Sequence, residues 1–155
     1  MRGTPQEKRD NKDFKFTRMT TGEEAALWAE TAWRGFGSQA GAPVTFLNLA
    51  RGLCANENFF LMLTERDALP VGTAMISFSL SSAGVYYFST MPGERRKGVG
   101  VAAMDEIFRV ARGGGPLKRD SVTLQATPDG VLFYASLGFE RLFDIPVHSR
   151  SSEVF

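Results

Sequence analysis

The chain has 155 residues, of which 43% are hydrophobic and 23% charged, and a formal net charge of +1. This length suits one domain with a sizeable core, and the near-zero charge gives no overall field that would attract nucleic acid or an anionic membrane. One cysteine and one histidine exclude an internal disulfide and a zinc site built from Cys and His. No apolar run reaches the roughly 18 residues of a membrane span, so we expect a cytoplasmic protein with neither a membrane nor nucleic acid as a partner.

The first 13 residues mix both charges with Gly and Pro and show no apolar pattern. They predict a flexible N-terminal tail over residues 1–13, followed by a single domain over residues 14–155. Residues 14–19 alternate apolar and polar side chains, which predicts a half-buried strand.

Two helices and three strands are predicted next. Thr21 stands three residues before Glu24, which is the spacing of a helix N-terminal capping box, and a second short helix follows Pro43. Short turns then separate three apolar, β-branched or aromatic runs, at residues 59–64, 71–80 and 85–90. Strands joined by such short turns predict an antiparallel meander, which argues against a Rossmann domain because its strands are parallel and separated by helices.

The second half of the chain predicts a crossover to a parallel strand. A helical run covers residues 101–112, and residues 121–126 predict a strand that the helix connects in parallel to the strand at 85–90. A short helix over residues 129–137 then ends at Gly138, which predicts a left-handed cap. Residues 139–145 predict the last strand.

A basic, glycine-rich loop lies between the strand at 85–90 and the helix that follows. Between Arg95 and Gly100 every side chain is small or cationic, so backbone N–H groups are left bare at a helix N-terminus, where they bind phosphate. A Walker A loop is excluded because Val99 follows Gly98 where that motif needs lysine. A dinucleotide fingerprint G-x-G-x-x-A fits from Gly98, but seven residues separate it from the strand. A solvated basic turn is a further alternative.

Two motifs together resemble the GCN5-related N-acetyltransferase family. Arg95-x-x-Gly98-x-Gly100 resembles the acetyl-CoA loop of that family, and Tyr134-x-x-x-Gly138-Phe139 resembles its signature on the penultimate helix. The resemblance covers roughly residues 14–145. It implies an α/β (α+β) fold with a mixed, mostly antiparallel central sheet, flanked by helices and splayed between the strands that begin at Val85 and Ser121.

The resemblance also implies a site for acetyl-CoA as cosubstrate, without a metal. The pyrophosphate would lie on the backbone N–H groups of residues 95–100, with the cationic side chains adding charge, and the pantetheine arm would pair with the end of the strand at 85–90. The cofactor-binding residues implied are Ser89, Thr90, Arg95, Arg96, Lys97, Gly98, Val99, Gly100 and Thr127.

Tyr134 corresponds to the tyrosine that serves many family members as general acid toward the departing CoA thiolate. An alternative is a core aromatic, because Phe133 and Tyr134 are neighbours and only one of them can face the core. Tyrosine has an ordinary pKa of about 10 and a thiol of about 8.5, so full proton transfer is uphill. Hydrogen bonding to the thiolate is therefore the role that we expect.

The strand at 85–90 carries no carboxylate, although many family members place a general base there. Candidates from elsewhere are Glu57, Glu65, Asp67 and His148, but each of them fits a surface position better than a catalytic one, so we assign no base. The acceptor side is expected to be aromatic, or these side chains simply pack in the core: Trp33, Phe36, Tyr86 and Phe88.

The resemblance implies an N-acetyltransferase that moves an acetyl group from acetyl-CoA to a primary amine by direct attack in a ternary complex. The alternative is a non-catalytic acyl-CoA-binding or regulatory module with the same fold. The sequence does not identify the amine acceptor, which is a small molecule or a protein, and it leaves both a monomer and a homodimer open.

Overall fold

The computed structural model describes residues 1–3, 12–113 and 121–146, and its strands lie in one sheet with helices on both faces. The strands are β1 (Arg2–Gly3), β2 (Lys15–Arg18), β3 (Phe59–Arg66), β4 (Leu69–Phe78), β5 (Ser82–Thr90) and β6 (Ser121–Leu124). The helices are α1 (Gly22–Gly35), α2 (Val44–Cys54), α3 (Val99–Gly113) and α4 (Val131–Ser136). None of the helices in these ranges is long and apolar enough to cross a membrane.

The strand order is β1-β6-β5-β4-β3-β2, and every pair is antiparallel except β5 and β6. The predicted meander and the parallel crossover are therefore confirmed. Pairing between β5 and β6 runs only from Ser82–Ser121 to Val85–Leu124. Beyond Val85, β5 has no partner strand on that side within the described residues, which confirms the predicted splay.

Alternating side chains of the sheet form two separate cores. Leu61 and Leu63 of β3 point toward α1 and α2, whereas Met62 between them points toward α3 and α4. This is the two-sided burial that the period of two in a strand allows. The cleft opened by the splay is therefore bordered by packed layers on both faces.

Trp28 of α1 fastens the first layer to the sheet. Its indole Nε1 donates to the carbonyl oxygens of Met62 and Ala74, both at 3.1 Å, and its side chain is fully buried.

The predicted capping box is present at the start of α1. The Thr21 hydroxyl accepts from the N–H of Glu24, and the Glu24 carboxylate accepts from the N–H of Thr21.

A β-bulge interrupts β5 opposite Ala74. Thr73 pairs with Ser89 and Met75 with Tyr86, so two residues of β5 face Ala74 alone. One of the two, Tyr87, has a φ of 48°, a left-handed conformation that is costly for a residue with a side chain. As a result Tyr87 contacts the α1 and α2 layer, whereas the next residue contacts α4 on the opposite face.

The hydroxyl of Thr73 holds this bulge. Its Oγ1 donates to the carbonyl of Tyr87 at 3.0 Å and lies 2.8 Å from the Ser89 hydroxyl. Because a hydroxyl has a single hydrogen, Ser89 must be the donor in the second bond. Ser89 is thereby fixed at the point where α1 reaches the sheet.

Gly35, the last residue of α1, lies directly against Ser89. A Cβ at Gly35 would come within 2.8 Å of the Ser89 Cβ and closer still to its Oγ. Only a residue without a side chain permits this approach, so the end of α1 lies on the second half of β5.

Two predictions about the ends of the chain are corrected. The flexible tail is wrong for residues 1–3, because Arg2 and Gly3 pair with Thr123 and Val122 and so cover the otherwise unpaired edge of β6. Residues 4–11 of that tail lie outside the described residues. The strand predicted at residues 139–145 is reduced to one bridge, between Arg2 and Glu140, because β1 already occupies the edge of β6.

Replacing Trp28 with Phe should lower the free energy of unfolding by about 2 to 4 kcal/mol, since it leaves a gap and removes the shared donor of two buried carbonyls. Trp33→Phe is the matched control. Its ring is half-buried and its Nε1 has no partner among the described residues, so we expect a loss below about 1 kcal/mol. Urea unfolding of both variants measures the difference, and equal losses would contradict this role of Trp28.

Gly35→Ala should destabilise the protein by about 1 to 2 kcal/mol. Alanine favours a helix by up to about 1 kcal/mol, but overpacking against the fixed Ser89 costs about 1 to 3 kcal/mol. Gly52→Ala in α2 is the control, because a Cβ there meets nothing within 4 Å and should stabilise. Thermal melting compares the two variants, and a gain in stability at both positions would show that the helix end does not touch β5 closely.

Candidate functional site

The splay between β5 and β6 opens a cleft with a volume of about 1130 Å³. Its walls come from the second half of β5, the loop over residues 94–101, the end of β6 and one face of α4. Of the residues predicted to bind the cofactor or act in catalysis, all but one line this cleft: Ser89, Thr90, Arg95, Arg96, Gly98, Val99, Gly100, Thr127 and Tyr134. Lys97 does not.

The loop leaves backbone donors free at the start of α3. A single 3₁₀ turn, Pro92–Glu94, precedes α3, which begins at Val99, two residues before the predicted start, and the N–H of Ala102 makes its first helical bond, to Gly98. Within the described ranges, the backbone N–H groups of residues 96–101 have no acceptor. The N–H of Arg95 does have one, the Pro92 carbonyl at 3.4 Å, which corrects the prediction of a bare donor there.

Left-handed backbone shapes this loop at two positions. Gly98 has a φ of 84°, and a Cβ added there would meet nothing within 4 Å, whereas Arg96 carries a side chain at a φ of 64°. A non-glycine residue in this region costs on the order of 1 kcal/mol, and such strain is found most often at functional sites. The left-handed backbone at Arg96 turns the chain directly before α3, so the following N–H groups lie at the start of that helix.

The three cationic side chains of the loop differ in what they contact. The Arg95 guanidinium donates from Nη2 to the Gly35 carbonyl at 2.9 Å and from Nε to the Thr90 carbonyl at 3.3 Å. Lys97 pairs with Glu94 at 3.3 Å. Arg96 alone of the three has no side-chain partner among the described residues. Of the three side chains predicted to add charge for phosphate, Arg95 and Lys97 are therefore engaged elsewhere and Arg96 is not.

Glu94 fastens the loop to the meander. Its carboxylate forms ion pairs with Arg66 at the end of β3 and with Lys97. The Arg66 guanidinium also lies over the ring of Phe14, 5.9 Å from its centroid. These cations offset the negative charge that Glu94 would otherwise present to an anion in the cleft.

The remaining predicted ligands contribute backbone and shape. Val99 is buried, Gly100 lies so close to Phe133 that a Cβ would come within 3.1 Å of its ring, and the Thr90 carbonyl is taken by Arg95. Thr127 precedes a 3₁₀ turn, and its side chain makes no capping bond there.

Tyr134 belongs to the core and to the cleft at once. Its ring centroid lies 6.1 Å from that of Phe88, 5.7 Å from Phe139 and 5.2 Å from Phe133. Only 9% of the residue is exposed, and burial raises the pKa of Tyr134 to about 12. Its hydroxyl has no hydrogen-bond partner among the described residues. Phe133 is half-buried beside it, so the expectation that only one of the two faces the core is confirmed, and the residue that does so is Tyr134.

The carboxylates that line the cleft, within the part of the chain that the structure describes, are Glu94 and Asp129. The candidate bases Glu57, Glu65 and Asp67 do not line it, and His148 lies outside the described residues. Asp129 is exposed in the turn before α4. Sequence reasoning missed it, and its only signal is its position directly after Pro128 in that turn.

Aromatic side chains line part of the cleft wall. Of the four aromatic residues named for the acceptor side, Phe36, Tyr86 and Phe88 line the cleft, whereas Trp33 packs on Phe46 with ring centroids 5.6 Å apart. Among the described residues no group of three His, Cys, Asp or Glu side chains is placed to hold a metal ion.

Solved structures share this fold at low sequence identity. A predicted acetyltransferase with acetyl-CoA from Clostridium acetobutylicum is 15% identical, covers 88% of this chain and 96% of its own, and has a TM-score of 0.66. An aminoglycoside N-acetyltransferase in complex with CoA is 12% identical over 88% of this chain and 94% of its own, with a TM-score of 0.69. A transcriptional regulator from Bacillus halodurans is 18% identical over 88% and 99%, with a TM-score of 0.67.

No curated protein matches the sequence. The model of the acetyltransferase (GNAT) family matches residues 20–139, a range that begins before α1 and ends with the Gly-Phe pair after α4. This match spans most of the chain and includes both the loop over residues 95–100 and helix α4, which carries Tyr134. The chain therefore belongs to the acetyltransferase (GNAT) family.

Proposed function

We propose that this protein is an acetyl-CoA-dependent N-acetyltransferase that moves the acetyl group to a primary amine by direct attack in a ternary complex. The observation that carries the proposal is the cleft itself. It joins a set of free backbone N–H groups at the start of α3 to the buried ring of Tyr134. Two of the structures that share the fold were solved with acetyl-CoA or CoA.

The start of α3 is suited to the pyrophosphate. Free N–H groups from Arg96 to Gly100 combine with the positive end of the helix dipole, and both favour an anion. The glycine positions keep Cβ atoms away from the approaching phosphates. Arg96 adds a free guanidinium, which binds phosphate with charge-assisted hydrogen bonds.

The open edge of β5 is suited to the pantetheine arm. β6 leaves β5 after Val85, so an amide-bearing chain entering the splay would meet strand edge, as in strand addition. Because Arg95 already bonds the Thr90 carbonyl, the groups left for the arm are the remaining N–H and C=O groups of this edge. The aromatic rings of Phe88 and Phe133 form the apolar floor beside it.

Tyr134 is suited to donate a hydrogen bond to the leaving sulfur. With a pKa raised to about 12, it holds its proton more firmly than a thiol with an ordinary pKa of about 8.5. Full transfer of the proton to the thiolate is then more uphill than for an unperturbed tyrosine. The hydroxyl therefore stabilises the thiolate as a donor while it keeps its proton.

The reaction needs a neutral amine on the acceptor. Its nitrogen lone pair forms the new bond to the thioester carbonyl carbon, the carbon–sulfur bond breaks, and CoA leaves as a thiolate while the nitrogen loses a proton. No residue is assigned as a base, so this proton passes to solvent water. The absence of a carboxylate on β5 favours the alternative, a non-catalytic acyl-CoA-binding module, whereas the placement of Tyr134 on the cleft favours the enzyme.

Gly98→Val should weaken CoA binding about tenfold or more. A side chain at this left-handed position strains the loop and covers the N–H groups, and each lost bond to a charged phosphate is worth roughly 1.5 to 3 kcal/mol. Gly93→Val is the control. A Cβ at Gly93 would also meet nothing within 4 Å, but Gly93 does not line the cleft. Gly100→Val is a less clean probe, since it would also displace Phe133.

Calorimetric titration with CoA compares the Gly98 and Gly93 variants with the unchanged protein, and melting curves establish that each is folded. An unchanged CoA affinity in a folded Gly98→Val protein would remove this loop as the phosphate site.

Tyr134→Phe should lower kcat and kcat/KM together, on the order of 100-fold, while CoA affinity stays nearly constant. The substitution keeps the ring and its packing and removes only the donor to the sulfur. Release of free CoA in a screen of primary amines supplies the acceptor and the assay. A variant with the unchanged rate but a lower melting temperature would leave Tyr134 a purely structural residue. The absence of turnover with any amine, despite CoA binding, would favour the binding module.

A further inference from the structure

The side chain of Arg95 is bonded to two backbone carbonyls from other parts of the fold. Its Nη2 donates to the carbonyl of Gly35, sixty positions away in sequence, and its Nε donates to the carbonyl of Thr90. Both bonds are charge-assisted, and these are about twice as strong as neutral ones. One guanidinium thus joins the end of α1, the end of β5 and the phosphate loop.

The carbonyl of Gly35, the last residue of α1, accepts its hydrogen bond from the Arg95 side chain. The last four carbonyls of a helix lack partners inside it. Here the N–H groups of Phe36, Ser38 and Gly37 donate to the first three, and Arg95 donates to the fourth. All four carbonyls at this helix end are bonded only because Arg95 is present, and its positive charge also suits the negative end of the helix dipole.

The end of α1 also forms a wall of the cleft. Phe36 follows Gly35 directly, is 58% exposed and lines the cleft. Because Gly35 contacts Ser89 and is bonded to Arg95, the position of Phe36 depends on the loop that carries the free N–H groups. A ligand that orders the loop would therefore also order this wall.

We propose that Arg95 is a positioning residue that couples the phosphate loop to the aromatic wall at Phe36, and that Arg96 is the side chain of this loop that binds phosphate. This division rests on the proposed function, since it assigns the two arginines within the CoA site. The two residues have opposite backbone conformations, with φ of −64° at Arg95 and 64° at Arg96. Of these two guanidinium groups, that of Arg95 is bonded to carbonyls and that of Arg96 has no partner among the described residues.

Hydrogen exchange tests the coupling, with CoA as the probe. In the unchanged protein CoA should slow exchange of the Phe36 and Gly37 amides as well as of the loop amides at residues 96–100. In Arg95→Ala the loop amides should still be protected by CoA, but the protection at Phe36 and Gly37 should be lost. Arg34→Ala is the matched control, because it removes an exposed arginine from the same helix end and should behave as the unchanged protein does. Retained protection at Phe36 and Gly37 in Arg95→Ala would overturn the coupling.

Calorimetry with CoA over a series of salt concentrations tests the assignment of phosphate binding to Arg96 and not to Arg95. Arg96→Ala should weaken CoA about tenfold and reduce its salt dependence, because a charge contact with phosphate is lost. Arg95→Ala should weaken CoA by less than Arg96→Ala does and should retain more of the salt dependence, because the Arg95 guanidinium is already bonded to the Gly35 and Thr90 carbonyls. If Arg95→Ala instead loses affinity and salt dependence as Arg96→Ala does, Arg95 binds phosphate and the proposal is wrong.

Failure of the proposed function gives a different result. If the unchanged protein does not bind CoA, the CoA site and the assignment of Arg96 both fall. The tie from Arg95 to α1 is then judged on the ligand-free protein alone. In the ligand-free protein, hydrogen exchange of the Phe36 and Gly37 amides should be about tenfold faster in Arg95→Ala than in Arg34→Ala. Equal exchange rates in the two variants would overturn the tie as well.

Discussion

The structure depends on the parting of β5 and β6 after Val85 and Leu124. An unpaired strand edge is costly unless water, another strand or a ligand bonds it. Here one helix, α3, connects the two strands, and its start lines the same cleft as the open edge of β5. A cleft with backbone donors along one wall and at one end follows from this single divergence, before any side chain is considered.

The β-bulge opposite Ala74 determines which side chains reach that cleft. Because it inserts one residue, it sends Tyr87 toward α1 and α2 and Phe88 toward α4. The left-handed backbone at Tyr87 is tolerated because Thr73 bonds its carbonyl and Trp28 packs against its ring. The strained backbone is thus held by buried contacts on the α1 and α2 face of the sheet. These contacts fix the bulge from which Phe88 faces the cleft.

The sequence predicted the elements whose signals are local. Thr21 and Glu24 mark the start of α1, and Gly138 marks the left-handed turn that ends α4, because capping and left-handed turns depend on a few neighbouring residues. The partners of Arg95 could not be predicted, since its acceptor at Gly35 is distant in sequence and is brought near only by the packing of α1 on Ser89. Nor could the pairing of Arg2 with β6, because two residues carry no periodic pattern.

The two ends of the cleft place opposite demands on electrostatics. In the proposed complex with CoA, the end of the cleft at the start of α3 needs free positive charge to bind phosphate, and it retains Arg96 while Arg66 and Lys97 pair with Glu94. The tyrosine end needs a neutral donor, and burial among Phe88, Phe133 and Phe139 raises the pKa of Tyr134 and keeps its proton in place. A thiolate formed beside such a donor is stabilised without gaining the proton. The aromatic packing that makes Tyr134 a core residue is therefore also what makes its hydroxyl suited to the chemistry proposed for the cleft.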